Sequence, residues 1–347
     1  DQMDLRVWDE CDVLRAVSQH VDHVPRLLHT SSDPPFQIHE FVTDGRQLNE
    51  IAPRGTPVPP NVIPDVVDLF SQLATIRPDE LPPLPAGWPE DGESSDFGRM
   101  LSGITQRVFD ENQRDFGALF RAFGIPDDPL ATVGAVWSTM ASRPFRAVHA
   151  DVHRQNMLMS QRGVVFLDWE LALWGDPVYE LAVHVHKMTY LDDELASLFS
   201  GWDSSVEPSA ARSWRDDLTA YLRHERVKSA IVDSIRYTKE IVAEGTTEVR
   251  RKTLTDKLTG KLNAAGQIWG WRTSLSADEV DSIITGWAAS DSRTHRGRRA
   301  DYRYSGGRLG GDPRDDLGVG DPLDPNRETV GGRLASDGYR HRLAGDL

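Results

Sequence analysis

The chain has 347 residues, 39 of them basic and 54 acidic, which gives a formal net charge of −15. Such an excess of acids argues against general binding to the phosphate backbone of nucleic acids and is compatible with a cationic small-molecule partner. The one cysteine, Cys11, excludes an intrachain disulfide and favours a reducing, cytoplasmic location. No apolar run is long enough to span a bilayer and no signal peptide is apparent, so we expect no membrane association.

The N-terminal residues predict a helix followed by strands. Apolar positions recur at helical spacing from Glu10 towards Val21. Apolar and polar residues then alternate over Phe36–Val42, which predicts a half-buried strand that ends at Thr43-Asp44-Gly45.

Helical patterns dominate the rest of the chain as far as residue 290. They predict helices over residues 61–76, 97–123, 130–140, 214–243 and 275–288, and helix starts at Asp176-Pro177 and Asp192. From about Asp291 onwards arginine, glycine, aspartate and proline dominate and the apolar periodicity ends. We therefore expect residues 291–347 to form a disordered tail.

A polar segment interrupts this helical region at residues 146–170. Two short apolar runs, Met157–Met159 and Val164–Leu167, flank a turn that contains glycine, so they predict a β-hairpin. If the hairpin closes, Asp168 returns close to Asp151 and Asn156. Two carboxylates and an amide are oxygen ligands that suit Mg²⁺ with bound phosphates.

These residues carry a family resemblance. The pattern His149-x-Asp151-x-x-x-x-Asn156, followed by a strand and Asp168-Trp169-Glu170, resembles the catalytic segment of the aminoglycoside phosphotransferase and choline kinase-like family. Protein kinases carry a related H-R-D-x-x-x-x-N loop and a D-F-G triplet. Because Ala150 stands in place of the arginine, and Trp169-Glu170 in place of Phe-Gly, a small-molecule kinase is favoured over a protein kinase.

The resemblance implies an α+β, protein-kinase-like fold with two lobes. Residues 1–44 would form a truncated N-terminal lobe and the hinge, and residues 45–290 a mainly helical C-terminal lobe that contains the catalytic hairpin. The implied activity is ATP-dependent transfer of the γ-phosphate to a hydroxyl group of a small molecule, with Mg²⁺ as cofactor.

The resemblance also implies roles for residues of the polar segment. Asp151 would orient the acceptor hydroxyl and take its proton, while Asn156 and Asp168 would hold Mg²⁺ on the nucleotide phosphates. His149 would brace the loop, and Glu170 would orient neighbouring groups or meet a cationic substrate. His153 and Arg154 lie close enough in sequence to touch phosphate.

Three residues of the N-terminal part are implied to bind the nucleotide. Glu10 stands where the family has a helix glutamate that pairs with a nucleotide-binding lysine. Glu40 and Val42 stand at the hinge, where backbone groups would hold the adenine edge. No lysine precedes Lys187 and no Gly-rich stretch precedes Glu10, and we expect the chain to begin after both features, because Asp1 leaves no room for two more strands.

The acceptor is expected to be an aminoglycoside-like or other cationic hydroxyl compound, because the later helices carry many acids. These acids are Asp192, Asp193, Glu194, Asp216, Asp217, Glu225 and Asp233.

Two alternatives stay open at this point. Without the lysine and the Gly-rich loop the chain could be a non-catalytic kinase-like module. It could also be a metal-dependent hydrolase, because His149, Asp151 and His153 alternate and would share one face of an extended strand, with Asp168 as a further ligand.

Overall fold

The structure is a computed structural model that describes residues 6–304, with only the backbone described for Pro35 and residues 291–304. The described residues fall into two compact units, divided between Ile283 and Ile284. The boundary expected near residue 44 stays a prediction. Within the described residues, no helix is both long enough and apolar enough to cross a membrane.

The first unit begins with a helix and a hairpin. Helix α1 spans Glu10–Val17 and starts at Asp9, whose carboxylate accepts a hydrogen bond from the Cys11 amide and so caps the helix. Strands β1 (Leu27–Ser32) and β2 (Pro35–His39) pair in antiparallel orientation.

Strand β2 ends earlier than the alternating pattern predicts. The prediction carried the strand to Val42, but β2 stops at His39 and the following residues turn. The Gly45 amide donates to the Val42 carbonyl at 3.1 Å, and this closes the turn. The alternation of apolar and polar residues therefore extends beyond the end of the strand, because pairing with β1 stops at His39.

Short helices and strands lead to the polar segment. The helices are α2 (Leu48–Ile51), α3 (Val62–Leu73), α4 (Ser94–Glu111), α5 (Gln113–Phe123) and α6 (Ala131–Trp137). The prediction of a single helix over 97–123 is wrong, because the helix is interrupted at Asn112, between α4 and α5. The Asn112 side chain donates to the Val108 carbonyl, so it satisfies a backbone acceptor at the end of α4.

Short strands surround the polar segment. They are β3 (Arg46–Gln47), β4 (Arg146–Val148), β5 (Met157–Ser160), β6 (Gly163–Phe166) and β7 (Leu173–Gly175). The predicted hairpin is confirmed, since β5 pairs with β6 from Met157 opposite Phe166 to Ser160 opposite Gly163. Gly163 has a φ of 110°, and a Cβ there would lie 2.9 Å from the His23 ring, so the turn requires glycine. Strand β3 also pairs with β5, and β4 pairs with β7.

The C-terminal part is helical, and the expected mixed α+β class is confirmed. Its helices are α7 (Pro177–Met188), α8 (Asp192–Ser205), α9 (Trp214–Ile241), α10 (Glu248–Trp269) and α11 (Ala277–Tyr304). Helix α10 packs against α9 and was not predicted. Residues 291–304 of the expected tail continue α11, and residues 305–347 lie outside the described residues.

A buried ionic network fixes the start of α7. The guanidinium of Arg143 contacts the carboxylates of Asp176 at 2.7 Å and of Asp217, and these side chains are almost fully buried. Asp176 also accepts hydrogen bonds from the Val178 amide and the Tyr221 hydroxyl, each at 2.9 Å. The same carboxylate therefore caps α7 and links it to α9.

Replacing Arg143 by Met should lower the free energy of unfolding by about 3–5 kcal/mol, because two buried carboxylates would lose their cation. The measurement is urea unfolding at pH 7. Arg99→Met is the matched control, since Arg99 pairs with Asp96 on the exposed surface of α4 and should change stability by less than about 1 kcal/mol. Equal losses in the two variants would contradict this role of the network.

Candidate active site

The loop between β4 and β5, residues 149–156, is buried except for the half-buried Gln155. It contains the His149, Asp151 and Asn156 pattern. A polar loop buried in this way needs internal partners for its backbone and side chains. Most of those partners come from α7 and from the end of the β5–β6 hairpin.

One face of α7 holds three consecutive residues of the β4–β5 loop. The contacting α7 positions are separated by four and three residues, so they lie on one side of the helix. Two of the contacts are hydrogen bonds of 2.8 Å to the loop backbone, and the third is an ion pair. The pairs are Glu180 with the Ala150 amide, His184 with the Val152 carbonyl, and Lys187 with the Asp151 carboxylate.

Asp151 is the most constrained carboxylate of the loop. One oxygen contacts the Lys187 ammonium and lies 3.6 Å from His153 Nε2, and the other accepts a hydrogen bond of 3.0 Å from the Asn156 amide. Burial acts to raise the pKa of Asp151, but Lys187 and His153 outweigh it and hold the pKa below its ordinary value. Asp151 is therefore ionised at neutral pH.

Asp168 has a different environment. It follows β6, with a φ of 64°, and its carboxylate has no hydrogen bond or ion pair with the described residues. Burial, with Asp151, Glu170 and Glu10 nearby, raises its pKa to about 8. Neighbouring carboxylates that repel one another in this way create a site where a cation would be stabilised.

The end of the hairpin is tied to the β4–β5 loop, which brings Asp168 back towards Asp151 and Asn156. The Leu167 amide donates to the Asn156 carbonyl at 2.8 Å, and His149 Nε2 donates to the Leu167 carbonyl at 3.1 Å. The His149 ring also packs against Trp169, with 4.3 Å between ring centroids. Burial lowers the pKa of His149 to about 4, so this imidazole is neutral and braces the loop.

Glu10 connects α1 to the residues after the hairpin. One of its oxygens accepts a hydrogen bond of 3.1 Å from the Trp169 amide, and the other accepts one of 2.5 Å from the Gln37 side chain. Glu10 therefore lies beside Asp168, on which it acts electrostatically. Glu170 is half-buried and lies 3.9 Å from Arg6.

Glu40 and Val42, the two residues predicted to lie at the hinge, make no contact with the carboxylates of the candidate site. Glu40 forms an ion pair of 3.0 Å with Arg26, and the Val42 carbonyl is used in the turn. No described hydrogen bond or ion pair joins either residue to Asp151 or Asp168. Their role in binding adenine stays a prediction.

Arg154 is a correction to the sequence interpretation, which placed it near phosphate. Its guanidinium is buried and donates to four backbone carbonyls, at distances of 2.6–3.2 Å. These belong to Met188, Ala52, Pro53 and Thr56. The side chain therefore uses four of its five N–H donors to hold the segment 52–56 and the end of α7 against the β4–β5 loop.

The hydrolase alternative is not supported by the geometry. His149 uses Nε2 to hold the Leu167 carbonyl, and His153 Nδ1 accepts a hydrogen bond of 3.2 Å from the Gln155 amide. Across residues 6–290, no group of three or more His, Cys, Asp or Glu side chains is arranged to hold a metal. A site made of Asn156, Asp168 and nucleotide phosphates is not such a group, because Asp168 is its one ligand of these four residue types.

Sequence reasoning did not find Lys187, His184 or the role of Glu180. The available signal was the position of three polar residues at intervals of four and three on a helix whose other residues are mostly apolar. Polar residues on such a helix must have buried partners, and the nearest polar backbone is the β4–β5 loop.

Replacing Asp168 by Asn should stabilise the protein in neutral and alkaline solution. The folded state raises the pKa of Asp168 to about 8, so wild-type stability should decline relative to the variant as the pH rises from about 4 to about 8. We expect a gain of about 2 kcal/mol at pH 8 and none at pH 3, measured by urea unfolding. Asp127→Asn, at an exposed position, should show no such dependence. A destabilised Asp168→Asn variant at pH 8 would contradict the repulsion among these carboxylates.

Comparison with known proteins identifies the family. Residues 4–215, more than half of the chain, match the phosphotransferase enzyme family (APH). No curated protein sequence matches the chain. A choline/ethanolamine kinase family protein from Mesorhizobium loti is 11% identical, with a TM-score of 0.48 over 82% of this chain and 83% of that one.

Two other solved structures are similarly distant. Plasmodium vivax ethanolamine kinase is 12% identical, with a TM-score of 0.49 over 73% of this chain and 70% of that one. A thermostable mutant of an aminoglycoside phosphotransferase is 17% identical, with a TM-score of 0.43 over 80% and 84%. Since all three scores lie below 0.5, we base the assignment on the family match, which confirms the resemblance carried by His149, Asp151, Asn156 and Asp168. The chain belongs to the phosphotransferase enzyme family.

Proposed function

We propose that the protein transfers the γ-phosphate of ATP to a hydroxyl group of a small molecule, with Asp151 as the catalytic residue. The observation that carries this proposal is the environment of Asp151. Its carboxylate is ionised, buried and held by Lys187 and Asn156, beside a second, electrostatically strained carboxylate at Asp168. Phosphoryl transfer depends mainly on positioning and charge stabilisation, and such a site supplies both.

Asn156 and Asp168 fit the Mg²⁺ that the family implies. The Asn156 amide nitrogen donates to Asp151, which leaves its oxygen without a partner among the described residues. Asp168 contributes a carboxylate whose pKa is raised by burial and by neighbouring acids, so a bound cation would stabilise its charged form. A neutral oxygen and a charged oxygen are suitable ligands for Mg²⁺. When bound, the ion would neutralise charge on the nucleotide phosphates.

The chemistry at the acceptor falls to Asp151. Its carboxylate orients the acceptor hydroxyl, whose oxygen forms a bond to the γ-phosphorus while the bond between that phosphorus and the β,γ-bridging oxygen breaks. The hydroxyl proton passes to Asp151, and ADP leaves with the bridging oxygen. Lys187 keeps Asp151 ionised and positions it, and Asn156 fixes its second oxygen.

The acids expected to attract a cationic acceptor are mostly engaged within the protein. Asp217 binds Arg143, Glu225 binds Lys228, Asp233 binds Lys261, and Glu194 accepts hydrogen bonds from backbone amides. The prediction of an aminoglycoside-like acceptor is therefore weaker than the number of acids in the sequence suggested.

Asp151→Asn should reduce turnover by about a hundredfold or more, because the amide cannot accept the hydroxyl proton. The measurement is acceptor-dependent formation of ADP, with nucleotide affinity measured separately by calorimetry. Asp127→Asn removes the same charge at an exposed position and should leave turnover unchanged. Full turnover by Asp151→Asn would refute the proposed role, and a wild-type protein that binds no nucleotide would instead indicate a non-catalytic module.

Lys187→Met should move the acidic limb of the pH profile of kcat/KM to higher pH. Burial raises the pKa of Asp151, and Lys187 is the largest influence that opposes it, so loss of the ammonium lets the pKa rise. The rate should then fall at a higher pH as the solution is acidified. Lys187→Arg keeps the charge, so the acidic limb of its profile should stay close to the wild-type pH. Lys252→Met, at an exposed position of α10, should leave the pH of the limb unchanged. An unchanged profile in Lys187→Met would exclude this positioning role.

A further inference from the structure

The ammonium of Lys187 has donors that its ion pair with Asp151 does not use. A lysine ammonium carries three N–H donors, and Asp151 is its one hydrogen-bond acceptor among the described residues. The Lys187 side chain is 11% exposed and that of Asp151 is 6% exposed, so the pair is buried without being fully closed off from solvent. Water or a ligand must therefore supply acceptors for the other donors, because a buried donor left without one costs free energy.

Two buried arginines show how this chain uses a cation for the fold alone. The Arg143 side chain is 0% exposed and contacts two carboxylates, those of Asp176 and Asp217. Arg154 is buried and places four of its five donors on backbone carbonyls. Lys187 differs from both, because its contact with one carboxylate leaves most of its donors available on the side that solvent reaches.

His153 does not supply the same charge. Its Nε2 lies 3.6 Å from the Asp151 oxygen that Lys187 contacts. Its Nδ1 accepts a hydrogen bond of 3.2 Å from the Gln155 amide, which requires that nitrogen to be unprotonated. Burial lowers the pKa of His153 to about 4, so the ring is neutral at pH 7. Lys187 therefore brings the full positive charge to this oxygen of Asp151.

The position of the acceptor hydroxyl determines where the transferred phosphoryl group passes. In the proposed reaction the hydroxyl lies about 2.6–3.2 Å from Asp151, and its oxygen lies about 3–3.5 Å from the γ-phosphorus. The ammonium of Lys187 contacts an oxygen of the same carboxylate. The oxygens bonded to that phosphorus can therefore come within hydrogen-bond distance of Lys187.

We propose that Lys187 is a catalytic residue, whose ammonium donates hydrogen bonds to the oxygens of the phosphoryl group as it leaves ATP. The inference rests on the proposed function and adds a direct contact with the substrate to the positioning of Asp151. In the transition state negative charge is spread over the three equatorial oxygens of the phosphoryl group. A cation that is already in place stabilises this charge without reorganisation.

Proton transfer strengthens this role of Lys187. The hydroxyl oxygen forms a bond to the γ-phosphorus, the bond from that phosphorus to the bridging oxygen breaks, and the hydroxyl proton passes to Asp151. Lys187 keeps its own protons throughout. Because protonation cancels the charge of Asp151, the ammonium is left with the phosphoryl group as its counter-ion.

The test separates a direct contact from an effect through Asp151. Binding of ADP and Mg²⁺ is measured by calorimetry with and without tetrafluoroaluminate, an anion that takes the place of the phosphoryl group during transfer. Lys187→Met and Lys187→Arg are each introduced into the Asp151→Asn background, where the ammonium has no carboxylate to keep ionised. Lys252→Met in that background is the matched control, since Lys252 is exposed and pairs with Asp256. Thermal unfolding confirms that each variant is folded.

In the Asp151→Asn background, Lys187→Met should weaken binding of tetrafluoroaluminate about tenfold or more, as loss of a charged hydrogen bond does. The affinity for ADP alone should not change. Lys187→Arg should retain most of the anion binding, and Lys252→Met should retain all of it. Equal anion binding with and without Lys187, or an equal loss of affinity for ADP alone, would overturn the inference and leave the proposed kinase activity intact. A wild-type protein that binds no nucleotide would overturn both.

Lys187→Met alone provides a second measurement, which applies even if the Asp151→Asn background does not fold. A role through the ionisation of Asp151 moves the acidic limb of the pH profile but leaves the alkaline plateau of kcat at the wild-type rate, because Asp151 is ionised again there. A direct contact also lowers the plateau, and we expect a loss of about a hundredfold in acceptor-dependent formation of ADP. A plateau at the wild-type rate would overturn the inference.

Discussion

The arrangement of the candidate active site depends on one side of α7. Its Glu180, His184 and Lys187 side chains reach three consecutive residues of the β4–β5 loop, and they combine backbone hydrogen bonds with a buried ion pair. The helix is itself fixed at its first turn, where Asp176 binds Arg143 in the interior. The loop is therefore positioned by a rigid element that is anchored at one end and packed against α9 along its length. Sites supported in this way keep their geometry better than sites that depend on free loops.

This support compensates for strain in the backbone. Ala150, immediately before Asp151, has a φ of 59°, and Asp168 has a φ of 64°. Residues with a Cβ avoid this left-handed region, at a cost of about 1–2 kcal/mol each. The Ala150 amide is held by Glu180, while Asp168 is followed by Trp169, whose amide is held by Glu10. One unfavourable conformation thus immediately precedes Asp151, and the other is that of Asp168 itself.

The local features of the site could be predicted from the sequence because they depend on residues close together in the chain. The hairpin after Asn156 follows from two apolar runs around a glycine turn, and its closure brings Asp168 back to the loop. The contribution of Lys187 was not predicted, because its partner lies 36 positions earlier and the local pattern indicates that the ammonium has a buried partner without identifying it. Arg154 was misinterpreted for the same reason, since the carbonyls that it binds are about a hundred residues away.

Helix α10 shows the converse limit of sequence reasoning. Its buried apolar residues form only a narrow stripe, Leu254, Leu258 and Leu262, and its stability depends on packing against α9, so the sequence indicates this helix only weakly. The lysines of α10 consequently had no assigned position in the fold. Once α10 is placed beside α9, Lys261 lies 2.6 Å from the buried carboxylate of Asp233.

The net charge of −15 has a kinetic consequence for the encounter with a nucleotide. A negatively charged ligand that approaches from a distance is repelled by this overall charge. Dissolved salt screens the repulsion over about 10 Å at 0.1 M. Moderate ionic strength would therefore speed the encounter of such a ligand with the protein, in contrast to the slowing seen when ligand and protein carry opposite net charges.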